Sequence, residues 1–464
     1  MAYKCGQEIF CDPKPFAYYV EPKYSKVVCD CCLELCESEG ILKACAKCKW
    51  VYYCDQTCQK EAWKSHHKLE CKFLQEQNMP EKVKEIFDGQ SEFSQTCLKL
   101  LRTILKLKNK GGEEFFQLPN GKKRHFADLM SNAEELWKQK EERKKFEFFY
   151  FIYANFEVWL GNIMPSFDEF FDIYGKWRTN SSAICAMNLD DPSIIIAGGL
   201  YLGYSALDHS CDNNAVWITV GKEMVVRTIE DVENFSEIRI CYIDKTEKTH
   251  NRRKLLKEHY FFDCKCLRCE DPNSDAKHTS LKCKSCPGWV NESTKICSGC
   301  HQKLKLSDEE LTIVEKYKNG TLQKFEPTIT IKDIRSILAK YVEIFHEFHE
   351  IFKQCVEVME NHPIFASPFQ KRDRDANMLL LELMKLKLNH SSGHLPQYCQ
   401  AFVFMHKSTA DACFFLRLFD EAESHLKKAE EICKVAFGGD HPEIQKFQMN
   451  KMVLQMARVG VDLS

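Results

Sequence analysis

The sequence predicts an α+β protein with two β-rich segments, separated by a cysteine-rich module and a helical insert, and a long helical tail. Short β-branched and aromatic runs between turn residues indicate the β-rich segments, within residues 1–28 and 192–245. Apolar residues at helical spacing predict helices in three stretches: Glu81–Lys108, Phe126–Leu160 and from about Ser307 to the end. Because the cysteine-rich run lies between the β-rich segments, we expect it to be inserted into one β domain whose strands share a sheet system.

Local patterns predict the individual strands and helices. Five short runs are candidate strands: Gly6–Phe10, Ile194–Ile196, Val216–Val220, Met224–Thr228 and Ile238–Tyr242. A helix is expected over Glu247–Glu258, whereas Ile331–Met359 is only roughly periodic. Residues 72–175 are expected to be rich in helix. Six aromatic residues there fit the core packing of a helix better than a cofactor box: Phe146, Phe148, Phe149, Phe151, Phe156 and Trp159.

The composition is that of an ordinary globular chain without a strong net charge. Its 464 residues are 44% hydrophobic and 28% charged, and the formal net charge is −2. This balance argues against direct nucleic-acid binding, and the chain lacks the basic recognition helix of a zinc-containing transcription factor. No run approaches the roughly 18 apolar residues of a membrane span, so we expect no membrane partner. Met1–Phe10 lacks the pattern of a signal peptide.

Cysteine usage indicates metal binding in a reducing compartment. Of the 26 cysteines, 22 lie in residues 1–300. In a chain without a recognisable secretory signal, this distribution favours metal ligands over a disulfide framework. We therefore expect the protein in the cytoplasm and the nucleus.

Eight residues between Cys29 and Cys71 have the spacing of a double zinc site. They form C-x2-C, C-x2-C, C-x3-C and H-x3-C pairs, which supply the eight ligands that two tetrahedral zinc ions need. Interleaved ligation is expected to place one set on the first ion: Cys29, Cys32, Cys54 and Cys58. The set on the second ion is then Cys45, Cys48, His67 and Cys71. The alternative is free, buried or disulfide-bonded cysteines, which four properly spaced pairs disfavour.

The histidine ligand of this module has a rival. His67 and Cys71 are four residues apart in the helix-like stretch Glu61–Cys71, so they share one face. His66 also fits, since seven residues separate it from Cys58. Two further cysteines fall outside the pairs and look like bystanders: Cys31 and Cys36.

A second group of paired cysteines predicts another zinc site. Its C-x2-C-x10-C-x2-C spacing is typical of a zinc ribbon, in which two knuckles bind one ion. The ligands are expected to be Cys283, Cys286, Cys297 and Cys300. The alternative is an exposed cysteine-rich loop, which is prone to oxidation without metal.

Two stretches carry a family resemblance. Residues 29–71, with CDCC, ACAKC and VYYCDQTCQKEAWKSHHKLEC, closely resemble a MYND zinc finger. Residues 199–215 and 237–269, GLYLGYSALDHSCDNNA and EIRICYIDKTEKTHNRRKLLKEHYFFDCKCLRC, resemble the SET domain of protein-lysine methyltransferases. Together they make the chain similar to the SMYD (SET and MYND domain) family over nearly its whole length. The resemblance implies a β-rich SET domain with an inserted MYND finger and helical insert, a post-SET zinc site and a C-terminal α-helical TPR-like domain.

The resemblance also divides the chain into segments. In order, these are residues 1–28 as the N-terminal part of SET, 29–71 as the MYND finger, 72–175 as the helical insert, 176–245 as core SET, 246–304 as the post-SET and zinc-ribbon-like segment, and 305–464 as the TPR-like domain. The post-SET zinc is implied to bind Cys211, Cys264, Cys266 and Cys269.

Single residues acquire roles from the same resemblance. Tyr242 stands at the catalytic tyrosine, and Tyr260 is implied to line the lysine channel. The residues implied to contact S-adenosylmethionine are Asn132, Asn180, Asp208, His209, Tyr242 and Phe262, the last against the adenine. Methyl transfer from a sulfonium to an amine needs a neutral lysine and oriented oxygens around the methyl group, which a buried tyrosine hydroxyl supplies. Desolvation in an apolar channel lowers the lysine pKa, so no general base is strictly required.

The chain departs from the family pattern at three places. A Gly-x-Gly turn that holds the methionine end of the cofactor is expected about 15–20 residues before Gly6, and the sequence begins five residues before it. The turn is missing, so either the sequence is truncated or the cofactor site is incomplete. Asp208 replaces an asparagine, which keeps an acceptor but loses the amide donor. Ser182 stands where a channel aromatic is common, and we expect it to widen the channel. Asn213 in place of proline looks structural.

The tail contains one unit that looks like the second half of a tetratricopeptide helix pair. Leu418–Ala422 is followed by Ala429, and Ala412 precedes it, so small residues stand where two helices pack closely. The alternative is a plain helical bundle. Two basic clusters, Lys427-Lys428 and Arg252–Lys257, are most simply solvated faces.

Two functions compete. The first is a zinc-bound, S-adenosylmethionine-dependent protein-lysine methyltransferase, monomeric, that acts on lysine in histone and/or non-histone proteins. The second is a catalytically impaired scaffold that recruits proline-rich peptides through the finger and chaperone or other protein tails through the TPR-like domain. The missing Gly-x-Gly turn favours the scaffold. The retained Tyr242, His209 and Phe262 favour the enzyme.

Overall fold

The chain forms two compact units, of which the structure, a computed structural model, describes residues 2–36, 38–75, 92–155, 164–186, 194–320, 329–360 and 373–460. The first unit comprises Met1–His209, Asn214–Ile240 and Leu255–Asp263. The second comprises Ser210–Asn213, Cys241–Lys254 and Cys264–Ser464.

Two three-stranded antiparallel sheets form much of the β structure of the first unit. One has the order β1 (Glu8–Asp12), β11 (Glu223–Thr228) and β10 (Ala215–Val220). The other has the order β2 (Ala17–Val20), β8 (Ile195–Leu200) and β7 (Ser181–Cys185). Strands that precede the finger therefore pair with strands that follow the helical insert, which confirms the predicted shared sheet system.

Short strand pairs complete the β structure of this unit. They are β3 (Lys43–Ala44) with β4 (Tyr52–Tyr53), β5 (Phe115–Gln117) with β6 (Lys123–His125), and a parallel pair, β9 (Asp208–His209) with β12 (Arg239–Ile240). The β5–β6 hairpin was not predicted, because its strands are three residues long and mostly polar.

The boundaries of all five predicted strands differ from the prediction, most at β1, β8 and β12. β8 continues to Leu200, four residues beyond the predicted end at Ile196. β1 begins after Gly6, which has a left-handed φ of 80° and donates its N–H to the Thr228 oxygen at 2.9 Å. Such a conformation favours glycine and belongs to a turn, not to a strand. β12 is only two residues long, because Ile238 still closes a helical turn by donating to the Phe235 oxygen at 3.2 Å.

Six α-helices of the first unit are described, besides short 3-10 and π-helical turns. They are α1 (Gln56–Ala62), α2 (Lys68–Glu70), α3 (Glu92–Lys108), α4 (Ala133–Lys138), α5 (Lys140–Asn155) and α6 (Phe167–Asn180). The predicted Glu81–Lys108 helix is confirmed from Glu92 on, and its first part lies outside the described residues. The predicted Phe126–Leu160 helix is interrupted, because Gln139 has an extended conformation between α4 and α5.

The helical insert packs its own aromatic core. Trp177, 1% exposed, donates its Nε1–H to Thr103 Oγ1 at 2.8 Å. Phe146 and Phe149 are buried there, but Phe148 and Phe151 are 46% and 64% exposed, so the prediction of core packing is wrong for these two. They lie on the opposite face of α5 from the covered side. The other two aromatic residues of the predicted stripe lie outside the described residues: Phe156 and Trp159.

The second unit is mostly helical. Its elements are α8 (Leu267–Glu270), β13 (Leu281–Lys282), β14 (Trp289–Val290), α9 (Asp308–Lys318), α10 (Ile331–Ile344), α11 (Glu350–Glu360), α12 (Arg374–Ser392), α13 (Ala401–Phe415), α14 (Phe419–Ala436) and α15 (Pro442–Arg458). α7 (Thr249–Tyr260) contributes residues to both units. The small residues predicted between packed helices are buried in α13 and α14, at 0–1% exposure: Ala412, Ala422 and Ala429. No helix in the described ranges is both long and apolar enough to cross a membrane.

The roughly periodic Ile331–Met359 stretch is two helices. Two histidine side chains interrupt it, since His346 Nδ1 accepts from the Phe348 N–H at 3.3 Å and His349 Nδ1 accepts from the Ile351 N–H at 3.1 Å. The second bond satisfies a backbone donor in the first turn of α11, as a capping side chain does.

Candidate functional site

The first predicted ligand set of the finger converges. The Sγ atoms of Cys29, Cys32, Cys54 and Cys58 all lie within 4.8 Å of one another. Cys32 and Cys54 are 3.6 Å apart at sulfur, close to the roughly 3.8 Å between two sulfurs that each lie about 2.3 Å from one tetrahedral zinc ion. Asp55 caps α1 by accepting from the Cys58 N–H at 2.9 Å, which orients the helix that carries this ligand.

The second set converges as well, and it is more deeply buried. Cys45, Cys48, His67 and Cys71 present ligand atoms within 4.8 Å of one another, and all four residues are buried. His67 Nε2 lies 3.5 Å from Cys48 Sγ. The Cys71 N–H donates to the His67 oxygen at 2.8 Å, so the predicted helical spacing of this pair is confirmed.

His66 does not join either ligand set. Its Nε2 faces the carboxylates of Asp30 at 3.4 Å and Glu70 at 3.9 Å instead of the thiols. The rival assignment is therefore wrong, because the helical turn at Trp63–His67 aims the two neighbouring imidazoles in different directions. Glu70 Oε1 accepts from His67 Nδ1 at 2.9 Å, which leaves Nε2 of His67 as the free ligand atom.

The sequence analysis did not identify Arg102, the residue whose guanidinium binds the Glu70 carboxylate. Arg102 of α3, 3% exposed, donates Nε to Glu70 Oε2 at 2.7 Å and Nη2 to Glu70 Oε1 at 2.9 Å. Nη2 also reaches Asp30 Oδ2 at 2.8 Å, and Nη1 donates to the Tyr18 oxygen of β2 at 3.2 Å. Burial raises the pKa of Glu70, but the charge of Arg102 and the hydrogen bonds from His67 and Arg102 outweigh burial and hold it below its usual range. One guanidinium thus ties the finger to a strand and a helix of the surrounding domain.

The predicted post-SET ligands also come together. Cys211, Cys264, Cys266 and Cys269 have their sulfurs within 4.8 Å of one another, with Cys211 and Cys269 3.6 Å apart. The expectation that Arg252–Lys257 is a solvated cluster is wrong at its first residue. Arg252 is fully buried, and its Nη2 lies 3.7 Å from Cys269 Sγ.

The ribbon cysteines form the fourth convergent set. Cys283 and Cys300 are 3.7 Å apart at sulfur, and Cys286 and Cys297 are 3.5 Å apart. Backbone N–H groups donate to three of the four sulfurs, for example that of Gly288 to Cys286 at 3.3 Å. A Cβ on Gly288 would lie 2.9 Å from Cys297 Sγ, so the close approach of the two knuckles requires glycine. These contacts do not fit an exposed, irregular loop.

Several residues implied to bind cofactor lie in the first unit. His209 pairs with Ile240 across the β9–β12 bridge, and its ring is 5.9 Å from that of Phe262. Asn132 donates its amide to Thr179 Oγ1 at 3.1 Å, and Asn180 donates to the Met130 oxygen at 2.8 Å. The two asparagines are thus anchored by their amide nitrogens.

Five other residues singled out in the sequence have the following environments. Asp208 is exposed on β9, so its carboxylate lies in a solvated setting. Ser182 is buried on β7 and donates its hydroxyl to the Gly199 oxygen at 3.3 Å. Tyr242 lies two residues beyond β12 instead of at the end of a strand, and Tyr260 is the last residue of α7, both half-buried. Asn213 has a structural contact, since its Oδ1 accepts from buried Lys245 Nζ at 2.7 Å.

Comparison with known proteins agrees with this arrangement. Residues 29–71 match the family model of the MYND finger. The chain is 32% identical over 266 residues to human histone-lysine N-methyltransferase SMYD3, a match that covers 56% of each chain. It is 26% identical over 460 residues to Arabidopsis thaliana histone-lysine N-methyltransferase ASHR1, covering 94% of this chain and 88% of the relative. Zebrafish N-lysine methyltransferase SMYD2-A is 24% identical, covering 96% and 92%.

The first of these matches spans about half the length of the human relative, whereas the plant and fish matches span most of theirs. The MYND match and the cysteine clusters make this a zinc-binding protein. The chain carries a MYND finger inserted between strands of one sheet system, and it is similar to lysine methyltransferases named SMYD3, ASHR1 and SMYD2-A.

Proposed function

We propose that the protein is an S-adenosylmethionine-dependent protein-lysine N-methyltransferase acting on histone and/or non-histone proteins. One observation carries most weight. The parallel β9–β12 bridge sets His209 of the DHSC segment opposite Ile240, two residues before Tyr242 in the chain. Alignment with relatives that are named lysine methyltransferases over 94–96% of this chain supports the same reaction.

The proposed chemistry assigns each side chain a positioning or electrostatic task. S-adenosylmethionine, when bound, supplies a methyl group on a sulfonium sulfur. Tyr242 would present its hydroxyl oxygen near the reacting carbon, and Phe262 would pack against the adenine beside His209. Tyr260 and Ser182 line the channel, which strips water from the incoming lysine and so favours its neutral, nucleophilic form. Positioning and oriented oxygens then provide the rate enhancement without a dedicated general base.

The roles of the remaining candidates follow from their contacts. Asn132 and Asn180 have anchored amide nitrogens, so their carbonyl oxygens are the atoms proposed to face the cofactor. Asp208 is proposed to pair with the cofactor ammonium through its solvated carboxylate. We place the enzyme in the cytoplasm and the nucleus as a monomer.

Four zinc ions per chain are proposed: two in the finger, one post-SET and one in the ribbon. Sixteen ligands in four convergent sets support this number. Every set has four protein ligands, so these ions are structural and leave no open position for catalysis. Elemental analysis of pure protein should return four zinc ions per chain. Two or fewer would refute the post-SET and ribbon assignments together.

Calorimetric titration with S-adenosylmethionine, followed by methylation of lysine peptides read by mass spectrometry, tests the activity. The same titration on a chain extended by an N-terminal Gly-x-Gly turn measures what that turn contributes. We expect the extended chain to bind S-adenosylmethionine and to methylate lysine peptides. Absence of cofactor binding in both proteins would contradict the enzyme assignment.

A scaffold is the second candidate, and Asp208 favours it because aspartate replaces the amide donor of the family asparagine. In that case the finger would recruit proline-rich peptides, and the TPR-like helices would recruit chaperone or other protein tails. Asp208→Asn separates the two candidates. A gain of cofactor binding in this variant, with none in the parent, would assign the parent to the scaffold class.

A further inference from the structure

Arg252 is a buried cation that forms no ion pair with a carboxylate among the described residues. It lies in the first turn of α7 and is fully buried. Its Nη1 donates to the Glu247 oxygen at 2.5 Å, and its Nη2 donates to Thr249 Oγ1 at 2.9 Å. Within the described part of the chain, no aspartate or glutamate side chain forms an ion pair with it. A guanidinium stays charged inside a protein, so its burial needs an anion elsewhere.

The thiol groups of the post-SET set are the anions within reach. Arg252 Nη2 lies 3.7 Å from Cys269 Sγ and also interacts with Cys211. A zinc ion bound by four thiolates carries a net charge of −2, concentrated on the sulfurs. A buried guanidinium beside two of those sulfurs neutralises part of that charge and receives its own counter-charge in return.

We propose that Arg252 is a positioning residue of the post-SET zinc site, which it stabilises by compensating the charge of the zinc-tetrathiolate group. The inference rests on the post-SET zinc site proposed above. The stabilisation acts in both directions. Zinc bound with its four thiolates stabilises the buried charge of Arg252 inside the first turn of α7, and Arg252 in turn stabilises the bound ion.

Neighbouring basic residues differ from Arg252 in a way that supplies controls. Arg253 is exposed, and it donates to the main-chain oxygen of Cys269 at 3.0 Å instead of to the sulfur. Arg268 donates to the main-chain oxygens of Lys245 at 2.8 Å and His394 at 3.2 Å. Lys254 is exposed on the same helix as Arg252. Of these four basic residues, Arg252 alone combines complete burial with a contact to ligand sulfur.

Site-resolved alkylation of the zinc-loaded full chain tests the proposal. Each protein is treated with N-ethylmaleimide and a chelator near neutral pH, and the modification rate of every cysteine is read by peptide mass spectrometry. The variants are Arg252→Met, which keeps the length but removes the charge, Arg252→Lys, which keeps the charge, and Lys254→Met as the matched exposed control. The finger cysteines serve as internal references.

Arg252→Met should speed alkylation of Cys211, Cys264, Cys266 and Cys269 by about 10–100-fold while leaving Cys45 and Cys48 unchanged. Arg252→Lys should lie between wild type and Arg252→Met, and Lys254→Met should match wild type. Equal acceleration at every cysteine would mean general unfolding, and no acceleration would mean no coupling. Either result overturns the inference.

Removing zinc provides a second, independent readout. Without the metal, the net charge of −2 that zinc and its four thiolates carry is no longer held beside Arg252, so the buried guanidinium loses that counter-charge. Arg252→Met should then melt no lower than wild type in the metal-free protein, although it melts lower in the zinc-loaded protein. A residue that acts only by packing would lower the melting temperature in both forms and would refute the proposal. Wild-type protein with no zinc on these four cysteines would instead refute the zinc site itself, and the inference with it.

Discussion

The Arg102 guanidinium donates two hydrogen bonds to the Glu70 carboxylate, from Nε to Oε2 at 2.7 Å and from Nη2 to Oε1 at 2.9 Å. Both side chains are buried, and Glu70 in turn holds the imidazole of His67. The pair therefore joins a helix of the insert to a predicted zinc ligand of the finger. Such supporting contacts orient a metal ligand and set its affinity.

Removing Arg102 should destabilise the protein and loosen the second zinc ion of the finger. Arg102→Met leaves two buried carboxylates, of Glu70 and Asp30, without their main cation. We expect the free energy of unfolding to fall by about 3–5 kcal/mol, measured by chemical denaturation of zinc-loaded protein. Chelator-driven zinc release should become about 10–100-fold faster. Lys108→Met, exposed on the same helix, is the control. A loss in Arg102→Met no larger than in this control would contradict the linkage.

The ligand sets were predictable because they depend on short spacings, whereas the choice between His66 and His67 was not. Both histidines fit the pattern of pairs, and only Glu70 and the helical turn around it decide which imidazole faces the thiols. Glu70 itself stands three residues after His67, a helical spacing that could have indicated a supporting carboxylate.

Arg102 and Arg252 gave no such local signal. Arg102 meets its partners across 32 and 72 residues of sequence, and the contact of Arg252 with Cys269 spans 17. Their burial depends on which helix face the fold covers. The same limit explains Phe148 and Phe151, since helical periodicity groups residues on a face but does not reveal whether that face is covered.

Three buried histidines of the second unit should make its stability fall in mild acid. Burial lowers the pKa of His278, lowers that of His390 to about 4 and lowers that of His394 to about 3. The ordinary histidine pKa is about 6.5, so between about pH 6.5 and pH 4 the unfolded chain binds more protons than the native one. The free energy of unfolding therefore rises with pH across this window and is fully present above it.

His278→Phe isolates one member of this group. Both ring nitrogens of His278 lack a hydrogen-bond partner among the described residues, and its ring stacks on that of His394 at 3.9 Å. Phenylalanine keeps the stacking and removes the unsatisfied nitrogens, so we expect about 1 kcal/mol more stability near neutral pH. The advantage should grow as the pH falls toward 4, measured as the difference in melting temperature from wild type. His250→Phe, exposed on α7, is the control. A constant difference at every pH would contradict the titration of His278.

Asp12 of β1 should have the opposite effect from the histidines, because it should make the free energy of unfolding fall as the pH rises. Burial raises its pKa to about 6, although Oδ2 accepts from the Gly203 N–H at 2.7 Å. Because the native state then binds the proton more tightly than the unfolded chain, stability falls as the pH rises from about 4 to 6 and stays lower above. Asp12→Asn removes this dependence, so the difference between variant and wild type should change by about 3 kcal/mol across the window. Because the buried histidines change stability with pH in the opposite direction, Asp12→Asn must be compared with wild type at each pH separately.

Tyr242 provides the sharpest test of the proposed chemistry. Its hydroxyl is proposed to orient the reacting carbon and the lysine nitrogen, and removing one such oriented group typically costs about 2.7–4 kcal/mol, or ~10²–10³ in rate. Tyr242→Phe should therefore abolish detectable lysine methylation while the affinity for S-adenosylmethionine stays within a few-fold of wild type. Single-turnover methylation and calorimetry measure the two quantities separately, on the chain that carries the Gly-x-Gly extension. Tyr52→Phe on β4 of the finger controls for loss of a tyrosine hydroxyl elsewhere. Equal methylation by Tyr242→Phe and its parent would show that this tyrosine is not the catalytic one, whatever the protein methylates.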